Sequence, residues 1–209
     1  MFDFAAIFTT QVAYLPYRLI GMLMVSLVLG LGITLMLDRL GEKGPRYDGR
    51  ATVNPFAHLD WGGFVGGLLL RPGWAMMVRL RAGEVRGGAW GILLSALVPL
   101  AVLILLAGLL LQLRPVFFAM MGNGLHGTKM VMRTGFVAEL MVWCALVNLI
   151  PLPPFLMGHL WAAWAPSLWT RVLGRLGWIS GAAFVVVLSG LLQPVIAPAA
   201  RFIIECLSI

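Results

Sequence analysis

Four stretches of this chain are apolar for long enough to cross the roughly 30 Å of a bilayer's hydrocarbon at about 1.5 Å per residue. They predict helices over residues 17–37, 90–113, 135–163 and 177–196. Arg18 and the pair Asp38-Arg39 bracket the first, Pro151, Pro153 and Pro154 interrupt the third, and Pro194 and Pro198 close the fourth. Residues 38–89 break the pattern, with eight basic and five acidic residues, many glycines and one apolar patch, Phe64 to Leu70. That patch is too short to span, which predicts a re-entrant or interfacial piece, because irregular backbone survives at membrane depth only under a cover of protein or around a water-filled cavity. The last residues, 197–209, predict a short interfacial helix. The fold class is therefore all-α: one integral membrane domain over 1–209 with about four transmembrane helices.

Composition gives the same class. Hydrophobic residues make up 61% of the 209 and charged residues 11%, against about 45–50% and about 25% in soluble domains. The net charge of +7 comes from residues flanking apolar runs. It serves helix orientation and anionic headgroups, not nucleic acid, since no basic stripe carries interleaved aromatics. Ten Lys and Arg in 38–89 and 164–176, against five elsewhere, put those two segments in the cytoplasm and both termini outside. Trp74, Trp90, Trp161, Trp164, Trp169 and Trp178 fall near span ends, as an aromatic belt requires. Cys144 and Cys206 have neither disulfide nor metal spacing and read as packing residues. The opening Met-Phe-Asp-Phe has no basic region followed by a cleavage site, so no removable signal peptide is expected.

Two motifs narrow the class. Residues 147–159 read Val-Asn-Leu-Ile-Pro-Leu-Pro-Pro-Phe-Leu-Met-Gly-His, and residues 49–60 read Gly-Arg-Ala-Thr-Val-Asn-Pro-Phe-Ala-His-Leu-Asp after Leu40-Gly41-Glu42. The first resembles the Asn-Leu-x-Pro-x-Pro-Pro-Leu-Asp-Gly-Gly-His segment of the site-2 proteases, intramembrane zinc metalloproteases. The second is similar to the Leu-Gly-Asp and Gly-Arg-x-Thr-x-Asn-Pro-x-x-His-x-Asp signature of that family's compact bacterial branch, in the same register. Gly73-Trp74-Ala75 echoes a further Gly-Trp-Ala, with Met76-Met77-Val78 where Lys-Pro-Val follows. The resemblance covers about residues 20–165 and implies a site-2-protease-like core in a bacterial inner membrane. It marks Gly49, Arg50, Asn54, Pro55, His58, Asp60, Asn148, Pro151, Pro153 and Pro154 as the retained structural motif.

The same register locates what is missing. The family's His-Glu-x-x-His falls on Leu29, Gly30 and Ile33, and its third ligand, an Asp, falls on Leu156. Zinc hydrolysis needs two imidazoles one helical turn apart and a carboxylate base beside the metal-bound water. Leucine, glycine and isoleucine supply none of these, so no catalytic residue and no cofactor are expected. In the second span the family's Ala-Gly-Pro-x-x-Asn appears as Leu97-Val98-Pro99-Leu100-Ala101-Val102, keeping the proline and losing the amide. Polar groups at mid-bilayer cost roughly 2.5–3.5 kcal/mol each on insertion scales and are normally kept for function; once zinc is not needed, apolar replacements stabilise the bundle.

Other chemistry-bearing positions are few. His58, Asp60 and His159 would meet as a displaced metal site if the broken third helix folded back, with Glu42 or Glu84 as base. The competing reading has His58 and Asp60 bonding the loop backbone and His159 at the interface. His126 belongs to the outer loop. Glu139, an acid inside a span, is read as snorkelling or pairing with Arg133, with an ion or proton role as the alternative. Gly62-Gly63, Gly66-Gly67 and Gly30-Leu31-Gly32 permit close helix approach. A transporter would need paired broken helices in two halves, and no internal repeat exists. Two functional readings follow: a catalytically inactive site-2-protease-like protein serving as accessory or scaffold subunit among other transmembrane proteins, or a zinc metallopeptidase with relocated ligands.

Overall fold

The computed structural model describes residues 4–121 and 124–208, so Met1–Asp3 of the opening segment lie outside the described residues, as does the side chain of His126. Among the described residues the chain is all-α, with one isolated antiparallel bridge, Leu59 to Ala75, in place of any sheet. Helices α1 (Phe4–Arg39), α3 (Gly88–Gln112) and α5 (Leu125–Val147) pack on one another as the central bundle. Three segments are long and apolar enough to cross a membrane: Tyr14–Arg39, Gly88–Met120 and Gly127–Val147. The second includes α4 (Arg114–Met121), which continues α3 past Leu113. A fourth exists if α7 (Pro166–Leu173) and α8 (Leu176–Leu188), bent by 86° at their junction, are one span.

Four boundaries differ from those the pattern predicts. The helix that carries the third span, α5, begins at Leu125 and ends at Val147, so the proline segment follows the helix instead of interrupting it. Pro151, Pro153 and Pro154 have no N–H to donate and cannot continue an α-helix. The chain instead runs through turns into a 3₁₀ turn, Leu156–Leu160, and the short α6 (Trp161–Trp164). The expected outer loop over 114–134 is largely helical, as α4 and the first turns of α5. The fourth apolar run divides at Ser189–Leu192, with Gly190 at φ +75°, into α8 and the amphipathic α9 (Gln193–Leu207), which packs against α5 and α3. At about 1.5 Å per residue, the 13 residues of α8 fall short of the hydrocarbon thickness.

The segment expected to be re-entrant is a helix and its return. Helix α2 (Trp61–Leu70) climbs beside α1: His58 lies against Gly30, Gly67 against Met22, and Arg18 donates to the carbonyls of Leu68 and Leu69. Residues 71–81 then descend as extended chain. Gly73 abuts Met22 again, and Arg86 N–H reaches Leu40 O (2.7 Å) at the far end of α1. From Arg18 to Leu40, α1 rises by about 33 Å. Small residues make the close approach possible: a Cβ on Gly63 would stand 2.3 Å from Trp74 O, and one on Gly67 would stand 2.1 Å from the Met22 sulfur. Arg71 turns the corner at φ +83° and pairs with Glu139. Glu139 thus finds Arg71 and not Arg133, whose guanidinium lies 4.8 Å over the Tyr17 ring. Arg71 consequently stands at the end of the bundle near Arg18, away from the other basic residues of 38–89, which moves one positive charge from the larger set to the smaller.

The tryptophans divide into two groups. Trp90, Trp164 and Trp178 are exposed, as a belt requires, but Trp74 and Trp169 are core residues whose ring N–H groups are bonded inside the protein. Cys144 is buried and donates to Arg71 O, while Cys206 is exposed on α9.

One side chain ties these parts together. Asn148, buried at the end of α5, donates to Gly73 O (2.9 Å) and Cys144 O (2.8 Å) and accepts from Leu156 N–H (3.0 Å). Replacing it with leucine strands a carbonyl and an N–H in the core, at about 1–3 kcal/mol per unsatisfied group. Asn148→Leu is expected to lower stability by about 3 kcal/mol in thermal melts of detergent-purified protein. Asn148→Asp, which keeps the acceptor but loses the donor, is expected to be at least as damaging because it buries a charge.

Candidate functional site

The motif of residues 49–60 is a chain of local bonds that builds one loop. Gly49, at φ +77°, makes the first turn. Arg50 closes the loop by donating to Ala57 O (2.8 Å). Thr52 Oγ1 accepts from Asn54 N–H, and Asn54 Oδ1 caps the 3₁₀ turn Pro55–His58 by accepting from Phe56 N–H (3.1 Å). Pro55 occupies the first position of that turn, where its missing donor costs nothing. Asp60 caps α2 through Gly63 N–H (2.9 Å) and accepts from Ser180 on α8, which in turn accepts from the Trp74 ring N–H (3.3 Å).

His58 stands at the end of this loop, fully buried. Its Nε2 lies 3.0 Å from Thr52 O, a carbonyl that can only accept, so Nε2 carries the hydrogen. Its Nδ1 is buried without a partner among the described residues. Burial pushes the ring's pKa down, which keeps it neutral. The ring fills the space over Gly30: a Cβ there would stand 2.4 Å from His58 Nδ1. Position 30 therefore has room for hydrogen and nothing larger. Leu29 and Ile33, the other two positions where the resemblance would put the His-Glu-x-x-His motif, are fully buried in the same apolar core that includes Leu156.

His159 is not interfacial. It is fully buried, donates from Nδ1 to Leu156 O (2.7 Å), accepts at Nε2 from Val78 N–H (3.1 Å), and its ring centroid lies 5.7 Å from that of Trp169. A protonated ring could not accept from Val78, and burial pushes the pKa down to about 4. His58, Asp60 and His159 each have separate partners, and among the described residues no three His, Cys, Asp or Glu side chains gather where a metal could sit. Asn148 acts as a bracket between segments, as described above, and Trp161 N–H donates to Pro151 O (2.9 Å). Pro99 is buried against Gly32 on α1, but Val102 is exposed on the outer side of α3, so an amide there would not face this core.

Glu42 and Glu84 belong to a different place. They line a cavity of about 520 Å³ with Lys43, Asp48, Arg79 and Arg81, and neither His58 nor His159 reaches it. Burial, reinforced by the neighbouring Glu84, raises the pKa of the Glu42 carboxyl, whereas the Glu84 carboxylate is held low by its bond to Arg81 (2.9 Å).

Sequence reasoning missed Ser180, Trp169 and Trp74 as bonded residues. Serine and tryptophan in an apolar run carry no periodic signal; only the groups they meet, the Leu80 carbonyl for Trp169 and the Asp60 carboxylate for the Trp74–Ser180 pair, give them a role.

Two outcomes follow. Gly30→Ala overpacks against His58 and is expected to cost about 1–3 kcal/mol, and combining it with His58→Ala is expected to recover most of that loss in a double-mutant cycle read by thermal melts. For His159, the folded pKa lies below the ordinary 6.5. Its contribution is therefore complete above pH 6.5 and lost as pH falls towards 4. The expected loss is about 3 kcal/mol, at roughly 1.4 kcal/mol per pKa unit, and His159→Gln is expected to flatten that part of the stability–pH curve. No protein-family model, curated protein or solved structure matches this chain, so the functional reading rests on this geometry.

Proposed function

We propose that this chain is a non-catalytic, site-2-protease-like membrane protein that works by contact, as an accessory or scaffold subunit of a larger complex in a bacterial inner membrane. The observation that carries the proposal is the packing of His58 on Gly30. Where the resemblance would put the catalytic carboxylate, the space is taken by the ring of a loop residue, and Leu29 and Ile33 on either side are sealed in the core. A water-activating centre needs metal ligands and an open position for water and substrate; no ligand set gathers here among the described residues.

The polar residues of both motifs have a non-catalytic use that accounts for their retention. They cap α2, close the loop before it and cover the extended segment after it. Metallopeptidase chemistry with relocated ligands would need His58, Asp60 and His159 to leave their present partners and converge, and no observation favours that. Contact as the mode of action fits the apolar surface: exposed side chains on α3 and α8 include Leu94, Leu105, Leu109, Val185 and Leu188, suited to lipid or to neighbouring transmembrane helices.

The deciding experiment uses the native assembly purified in mild detergent, with zinc measured per chain, cleavage of transmembrane peptides assayed, and co-purifying subunits quantified. Expected are zinc well below stoichiometric, no cleavage, and membrane proteins present at fixed stoichiometry through successive columns. Stoichiometric zinc lost in both His58→Ala and His159→Ala would sink the proposal, and so would a chain that purifies alone.

A further inference from the structure

Basic side chains gather at the end of the bundle opposite the 49–60 loop. Arg18 of α1, Arg71 at the α2 corner and Arg201 of α9 line one cavity of about 400 Å³, walled by Leu69, Leu70 and Trp143. Its lining contains three guanidinium groups and no carboxylate. Arg18 and Arg71 both lie over the Phe136 ring, at 5.1 and 5.9 Å from its centroid, so two like charges are held against one aromatic ring. Arg18 is buried and donates to the carbonyls that end α2, and Arg71 is paired with Glu139, so both guanidinium groups are fixed in place. Arg201 is exposed and forms no ion pair among the described residues. The adjoining cavity, about 490 Å³, also receives Arg201 but contains Glu139 and Glu205, and so favours an anion less.

Arginine is not the cheap choice at position 71. A non-glycine residue at φ +83° carries a backbone cost of order 1–3 kcal/mol, and such strain persists where the surroundings over-determine it. Here the strained corner delivers a guanidinium to a cavity that already holds one. Clustered guanidiniums with an apolar wall are the chemistry of phosphate recognition, through bidentate charge-assisted bonds to the oxygens. The position agrees with a headgroup, since Arg18 lies in the first turns of the span Tyr14–Arg39 and Trp143 supplies an aromatic wall.

We propose that the cavity between α1, the α2 corner, α5 and α9 binds a phosphate group through Arg18, Arg71 and Arg201. Two sources carry that chemistry, the headgroup of an anionic phospholipid and free inorganic phosphate, and the apolar wall suits the first.

The test is native mass spectrometry of the detergent-purified full chain, titrated with phosphatidylglycerol, phosphatidylcholine or inorganic phosphate. The variants are Arg201→Gln and, as a control at the other end of the bundle, the exposed Arg175→Gln. Expected is retention of phosphatidylglycerol over phosphatidylcholine by about tenfold, the scale of one charge-assisted contact. That preference should be lost in R201Q, kept in R175Q, and accompanied by unchanged melting curves in both. Binding of inorganic phosphate that is abolished in R201Q, without lipid selectivity, would identify the free anion as the ligand. Equal retention of both lipids with no phosphate binding, or binding indifferent to R201Q, overturns the site.

Discussion

An extended chain running through an apolar bundle must find a partner for every polar backbone group it carries. Residues 71–81 are such a chain, and much of the polar inventory of this protein is spent on them. Arg71 O takes the Cys144 thiol, Gly73 O takes the Asn148 amide, Val78 N–H goes to His159, and Leu80 O takes the Trp169 ring N–H. Two backbone partners complete the stretch: Met76 N–H goes to His58 O (2.8 Å), and Arg81 O accepts from Glu84 N–H (3.0 Å). The partners come from α5 and the residue that ends it, the 3₁₀ turn and α7, so covering the extended segment also fixes how those elements sit around α1.

This requirement gives a physical reason for polar residues in a core with no evident chemistry. An asparagine, a histidine or a tryptophan there repays its desolvation by bonding a backbone group that would otherwise be unsatisfied. The residues of the two motifs and the positions where the proposed resemblance would put catalytic groups then differ in kind. Asn148, Asn54, Asp60 and Arg50 support the path of the chain. Leu29, Gly30, Ile33 and Leu156 lie where no backbone group needs them, and apolar side chains or hydrogen fill those positions.

The legibility of the sequence follows the same division. Long apolar runs located α1 and α3 well, because hydropathy over twenty residues is a strong signal. The glycine-rich patch at Phe64 to Leu70 was readable as non-spanning for want of length, and it is the core of α2. The third and fourth spans were misjudged because hydropathy cannot distinguish an apolar helix from apolar turns: 148–163 is as greasy as a span but is bonded as loop. Glu139 was recognisable as an acid needing a partner, but not which one, since Arg71 is 68 positions away and reaches it only through the α2 corner. His159 looked interfacial because its partner, Val78 N–H, is a backbone group, which no side-chain pattern reveals.

The bonds that cover the return segment join residues 73, 75, 81 and 89 positions apart. During synthesis, therefore, Arg71 to Leu80 emerge from the ribosome well before the side chains that will satisfy them. Arg71 to Leu80 can reach their full set of partners only after α5 and the residues that follow it have been made, although α2 before them already has α1 to pack against.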